Sequence, residues 1–195
     1  MNKPDFFVIG LGNPGDKYKF TRHNFGKLFI EWMMENSGKS FIIKKQHQFF
    51  DVAFSFTNKN IIVRFFISNF FMNQSGNLID ELKDEIDSVE KIVIVHDDMD
   101  EDFGICKIRD NKTRGLRGHN GNRSIIEHLK KYKKFSDELN NSKLTYFLSL
   151  GIGRPENKSE VSDFVLKDFS LEEKNKEENI FNDAKQKLNF FLEKN

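Results

Sequence analysis

The stretch GLGNPGDKYKFTRHNFG, residues 10–26, places an asparagine, a threonine and a histidine just after an apolar run, with glycines spaced Gly10-x-Gly12-x-x-Gly15. Two chemistries share that spacing. A dinucleotide site needs a helix that begins inside the glycines, so that its N-terminus faces the pyrophosphate, and an acid at the end of the next strand for the ribose. Neither requirement is met. Pro14 lies between the second and third glycines, DKYKF separates Gly15 from the helix start expected at Thr21, and Glu35, about 20 residues on, falls in a helical pattern. The other chemistry is a loop that delivers Asn13 just past the C-terminal end of a strand, where open α/β sheets bind ligands. Thr21 then caps the following helix, and His23 lies in its first turn. The positive end of a helix disfavours imidazolium, which keeps His23 neutral and able to accept a proton near pH 7.

The elements that must position these residues follow from the apolar pattern. Runs rich in β-branched and aromatic residues occur at 6–11, 52–56, 61–67, 91–97, 105–109 and 144–153. Most read as strands, and the nearly unbroken ones suit a sheet covered on both faces. Helical spacing appears in Phe25, Phe29, Ile30, Met33 and Met34, then in Ile125, Ile126, Leu129 and Tyr132 after GHNGN. It returns in Phe181, Ala184, Leu188, Phe191 and Leu192. The mixed βαββαβ order predicts one α/β domain over residues 1–195, a three-layer sandwich with a mixed, mostly parallel twisted sheet flanked by helices.

With 195 residues, 37% of them hydrophobic, the chain is long enough for a sizeable core. No window approaches the roughly 20 apolar residues of a membrane span, and no signal-peptide stretch precedes the first strand, so a cytoplasmic protein without membrane contact is expected. Cys106 is the only cysteine, which excludes an internal disulfide and a cysteine-built zinc site and leaves a buried, inert thiol. The net charge of +1 conceals two blocks: residues 80–102 hold eleven acids and two bases, residues 107–134 ten bases and two acids. A basic patch beside an acidic one is expected. The 22 phenylalanines point to codon bias rather than to chemistry.

Five motifs taken together, GLGNPGDKYKFTRHNFG (10–26), FMNQSG (71–76), HDDMD (96–100), GHNG (118–121) and GIGRP (151–155), resemble the bacterial peptidyl-tRNA hydrolase family in content, order and approximate spacing. The likeness runs from residue 6 to about residue 166. It implies a monomeric esterase that cleaves the bond between peptide and tRNA without metal or cofactor, its partner being peptidyl-tRNA, both acceptor stem and nascent peptide. His23 matches the family's general base, which activates water. Asp97, at the end of the KIVIVHD run, matches the carboxylate that holds that imidazole in its useful tautomer. Asn13, Asn73 and Asn120 match amides around the scissile bond, one of which could face the developing oxyanion. Tyr18, Asn24, Phe71 and Met72 match positions lining the same cleft.

Of three departures from the pattern, one is SNFFMN, where a proline and a threonine usually precede Phe-Met-Asn, and the other two concern the RNA. The family usually carries an arginine two residues before the first glycine of GIG, gripping a phosphate with two further cations; here that position is Ser149, while Lys107 and Arg109 match the two others. The glycine-rich run before HNG is replaced by the basic DNKTRGLRG, so Arg114 or Arg117 is expected to supply the missing phosphate contact. Two rival functions remain: an RNA-binding homologue that has lost the chemistry, and a nucleotide-dependent enzyme. The first is disfavoured by an intact His23, Asp97 and asparagine set, the second by the failed glycine test above.

Overall fold

The computed structural model describes residues 3–44, 46–111, 118–137 and 143–195. Its strands are β1 (Phe6–Gly10), β2 (Ile42–Lys44), β3 (His47–Phe56), β4 (Lys59–Ser68), β5 (Lys91–Asp98), β6 (Cys106–Asp110) and β7 (Thr145–Gly151). They form one sheet in the order β2-β3-β4-β1-β5-β7-β6. The three central pairings are parallel and the three outer ones antiparallel, so the sheet is mixed, as expected, with β3 and β6 running against the other five. The helices are α1 (Phe25–Asn36), α2 (Asn77–Glu81), α3 (Asn120–Leu129), α4 (Lys133–Ser136), α5 (Val161–Val165), α6 (Leu171–Lys174) and α7 (Glu177–Lys194).

Alternation along the strands builds two cores. On β1, Phe6 and Val8 face one core while Phe7 and Ile9 face the other; Val93 and Val95 against Ile92 and Ile94 repeat this on β5. α1 and α7 close the first face, α2 and α3 the second, which gives the three layers read from sequence. The apolar stripe of α7 is buried as its spacing predicts, and it covers Cys106, whose thiol burial pushes up to about 12. Among the described residues, no helix is long and apolar enough to cross a membrane.

The parallel centre decides where chemistry can occur. β4, β1, β5 and β7 all end on one edge of the sheet, so Asp97 near the end of β5 and the segments after the other three strands, carrying Phe71 to Asn73, Asn13 and GIGRP, come out side by side. Two glycines let α1 sit unusually close to that edge. A Cβ on Gly26 would lie 2.1 Å from the Val95 carbonyl oxygen, and one on Gly10 would meet Gly26 and Ile30. Leu11 N–H donates to Val95 and Lys27 N–H to Leu11, fastening β1, β5 and the start of α1 together.

Candidate active site

His23 lies in a 3-10 turn, Arg22–Asn24, that leads into α1. The Gly26 contact with β5 carries this turn against the end of that strand, and His23 Nδ1 comes to 2.9 and 3.1 Å from the two Asp97 carboxylate oxygens, 74 residues away in sequence. A carboxylate only accepts, so Nδ1 carries the proton and Nε2 keeps its lone pair. Thr21 precedes the turn, but its hydroxyl donates back to the Tyr18 carbonyl instead of capping forward. The expected helix-end effect is also outweighed. Burial, the largest influence, pulls His23 down, yet the charge and hydrogen bond of Asp97 carry its pKa above the ordinary 6.5.

Asp97 has a second partner that sequence reading gave no role. His119 Nε2 lies 3.0 Å from Asp97 Oδ1, while His119 Nδ1 accepts from the Asn122 N–H and caps α3. The backbone donor at Nδ1 fixes the tautomer, so His119 directs its Nε2–H at the carboxylate. Burial would raise the Asp97 pKa, but His23 and His119 together hold it well below the usual carboxylate range. The ligand atoms of His23, Asp97 and His119 lie within 4.8 Å of one another, near enough to consider a cation. Both short distances in that group are nevertheless accounted for as proton-sharing bonds. Behind them His96 is fully buried, its Nδ1 2.6 Å from the Asp97 carbonyl and its Nε2 3.4 Å from the buried hydroxyl of Ser149.

A cleft of about 580 Å³ opens over this group. His23, Asp97, His119 and Asn120 lie on it with Asp98, Asp100 and Arg154, and α5 with its following residue contributes the apolar wall of Val161, Val165 and Leu166. Among the described residues singled out from sequence, His23, Asp97 and Asn120 line it. Asn13 is buried and does not line it: its Oδ1 accepts from the Met72 N–H, which turns its Nδ2 the other way. Asn24, expected on the cleft wall, is instead fully buried, its amide spent on the Asn13 backbone at 2.7 and 3.0 Å. Met72 is buried as well, whereas Phe71 and Asn73 are exposed and the Phe71 ring packs edge-on against Tyr18 at 6.4 Å.

The cations expected to face RNA are partly engaged. Lys107 and Arg109 alternate on edge strand β6 and converge on Glu101, at 2.5 and 2.8 Å, and that carboxyl is held low by them against its own burial. Arg114 and Arg117 lie outside the described residues. Residues that sequence reading missed, His119, Asp100, Arg154 and the α5 wall, are defined by partners distant in the chain. Of these, His119, Asp100 and Arg154 stand inside the quoted motifs GHNG, HDDMD and GIGRP, which gave them no role, and the α5 wall carried no signal.

The family model for peptidyl-tRNA hydrolase matches residues 7–195. A peptidyl-tRNA hydrolase of Aliarcobacter butzleri is 37% identical over 177 residues, covering 90% of this chain and 85% of its own. One of Sulfurimonas denitrificans is 34% identical, covering 85% and 78%. The crystal structure of peptidyl-tRNA hydrolase from Acinetobacter baumannii superposes with a TM-score of 0.73 at 25% identity, covering 98% of this chain and 93% of that one.

Proposed function

The chain belongs to the peptidyl-tRNA hydrolase family, and from that premise we propose that it hydrolyses the ester joining peptide to tRNA with His23 as general base. The observation that carries the assignment is the His23 to Asp97 hydrogen bond, which leaves Nε2 as a lone pair beside the cleft. Nε2 takes a proton from water as the water oxygen bonds to the ester carbonyl carbon. The tetrahedral intermediate then collapses, the ribose oxygen leaves with the proton returned by the imidazolium, and the peptide departs as its carboxylic acid. Asp97, anionic and held by two imidazoles, steadies the positive charge that His23 bears between these steps.

Asn120 is the asparagine that shares the cleft wall with His23, which makes it the amide best placed to donate to the oxyanion; such a donor contributes about 3 kcal/mol. Asn13 would meet the substrate with its Nδ2, since Met72 already occupies its oxygen. The apolar wall gives an acyl chain a surface without naming its sequence. Release of tRNA from N-acylated aminoacyl-tRNA, wild type against His23→Ala, tests the reading. Loss of about two to four orders of magnitude in kcat is expected, and wild-type turnover equal to the variant's would point to the non-catalytic RNA binder instead.

A further inference from the structure

Arg22, one residue before His23, is almost wholly buried, although nothing in the reaction as derived uses it. Its guanidinium donates through one terminal nitrogen to the Lys167 and Asp168 carbonyls, at 3.2 and 3.1 Å, and through the other to both oxygens of Glu173, at 2.9 and 2.7 Å. The same group stacks over Phe164 at 4.6 Å and Phe169 at 5.4 Å. Backbone bonds run alongside: Arg22 N–H donates to Lys167, Phe169 N–H to Phe20, and Thr21 bridges Asp168. Glu173 is itself fixed by a capping box with Ser170, at 2.7 and 3.2 Å, and its carboxyl is held low against the effect of burial. The segment so gripped follows directly on Val161, Ser162, Val165 and Leu166, the wall that faces His23 across the cleft.

We propose that Arg22 is a positioning residue of the reaction: held bidentately by Glu173, it ties the 161–168 wall to the turn that presents His23, so that base and wall keep one spacing. The two terminal nitrogens of the planar guanidinium are what the site uses, since two carbonyls and a carboxylate converge on them from different directions, while Nε is buried without a hydrogen-bond partner. A lysine carries the charge and cannot span them. The inference rests on His23 being the base, and it adds a pair of residues, Arg22 and Glu173, neither of which lines the cleft.

The test uses Glu173→Gln and Arg22→Lys in the full chain, beside Phe191→Leu on the buried face of α7 as a control for lost stability. KM and kcat are read with N-acylated aminoacyl-tRNA, and the His23 ring is titrated by NMR without substrate. Among the described residues, the titratable and charged groups that line the cleft with His23 and Asp97 are His119, Asp98, Asp100 and Arg154, all unaltered in these variants. In both variants kcat/KM is expected to fall about tenfold, mostly through KM, because the wall is no longer held. The His23 titration is expected to move down toward 6.5 as its bond to Asp97 loosens. The control is expected to lower the melting temperature and leave both readings alone. If Glu173→Gln and Arg22→Lys behave like the control, the proposal is overturned. Should the wild type release no tRNA, the proposed function fails, and the ring titration alone still decides whether the clamp exists.

Discussion

At the scale of single residues, few atoms around His23 have a choice. Asp97 takes Nδ1–H from His23 and Nε2–H from His119, and the α3 backbone takes the remaining nitrogen of His119, so Nε2 of His23 is the one imidazole nitrogen of the pair left to act as a base. His119→Ala is therefore expected to reduce kcat by about tenfold while leaving a His23-dependent reaction, as removal of a supporting bond does; a variant as dead as His23→Ala would make His119 the base. The cations expected to face RNA make a separate prediction. Lys107 and Arg109 spend their charge on one carboxylate, so Glu101→Gln should tighten binding of uncharged tRNA and steepen the slope of log affinity against log salt by about 1.5 to 2. An unchanged slope would mean that these two side chains never reach a phosphate.

At the scale of elements, the chemistry depends on the close approach of α1 to the sheet. Gly26→Ala would drive a methyl group into the Val95 carbonyl, two residues before Asp97, and is expected to destabilise the fold by about 3 kcal/mol and to separate His23 from Asp97. Leu188→Ala, in the buried stripe of α7, should cost a similar 2 to 5 kcal/mol and spare the His23 titration, and urea unfolding of both variants checks the pair. The same elements show what a sequence can disclose. Long apolar strands and helical stripes were legible because burial imposes their period. β2 was not, since its Ile42 and Ile43 lie exposed at a sheet edge where no pattern is imposed. β3 begins five residues before the run that announced it, because His47 enters the core only through its pairing with Glu81 at 2.6 Å. His23, Asp97 and Asn120 were legible through their motifs, whereas the α5 wall and the Arg22 clamp exist only as contacts between distant segments.

At the scale of the whole molecule, the two charge blocks meet. Asp80 on α2 is 2.9 Å from both His128 and Lys131, and Glu101 takes up Lys107 and Arg109, so acids from one block offset bases from the other at these points. Stability should carry the mark of the buried carboxylate. Asp97 titrates well below its ordinary 3.8 in the folded chain, so below that pH the unfolded chain takes up a proton that the folded one refuses. Its contribution is present above 3.8 and is lost as the pH falls, and Asp97→Asn should flatten the decline of unfolding free energy in that acid range. His23 has the opposite sign: its raised pKa stabilises the fold below 6.5, and that contribution fades as the pH rises through the folded value.

The most direct test of the central claim is the pH dependence of kcat/KM for N-acylated aminoacyl-tRNA between pH 5 and 9, in the wild type and in Asp97→Asn. A general base must be neutral to act and His23 is held above 6.5 by Asp97, so with His23 as that base activity should rise with pH through one ionisation whose midpoint lies above 6.5. In Asp97→Asn the midpoint should fall and the plateau drop by about two orders of magnitude, because the tautomer and the support are both lost. A flat wild-type profile, or a midpoint that Asp97→Asn leaves in place, would contradict the account.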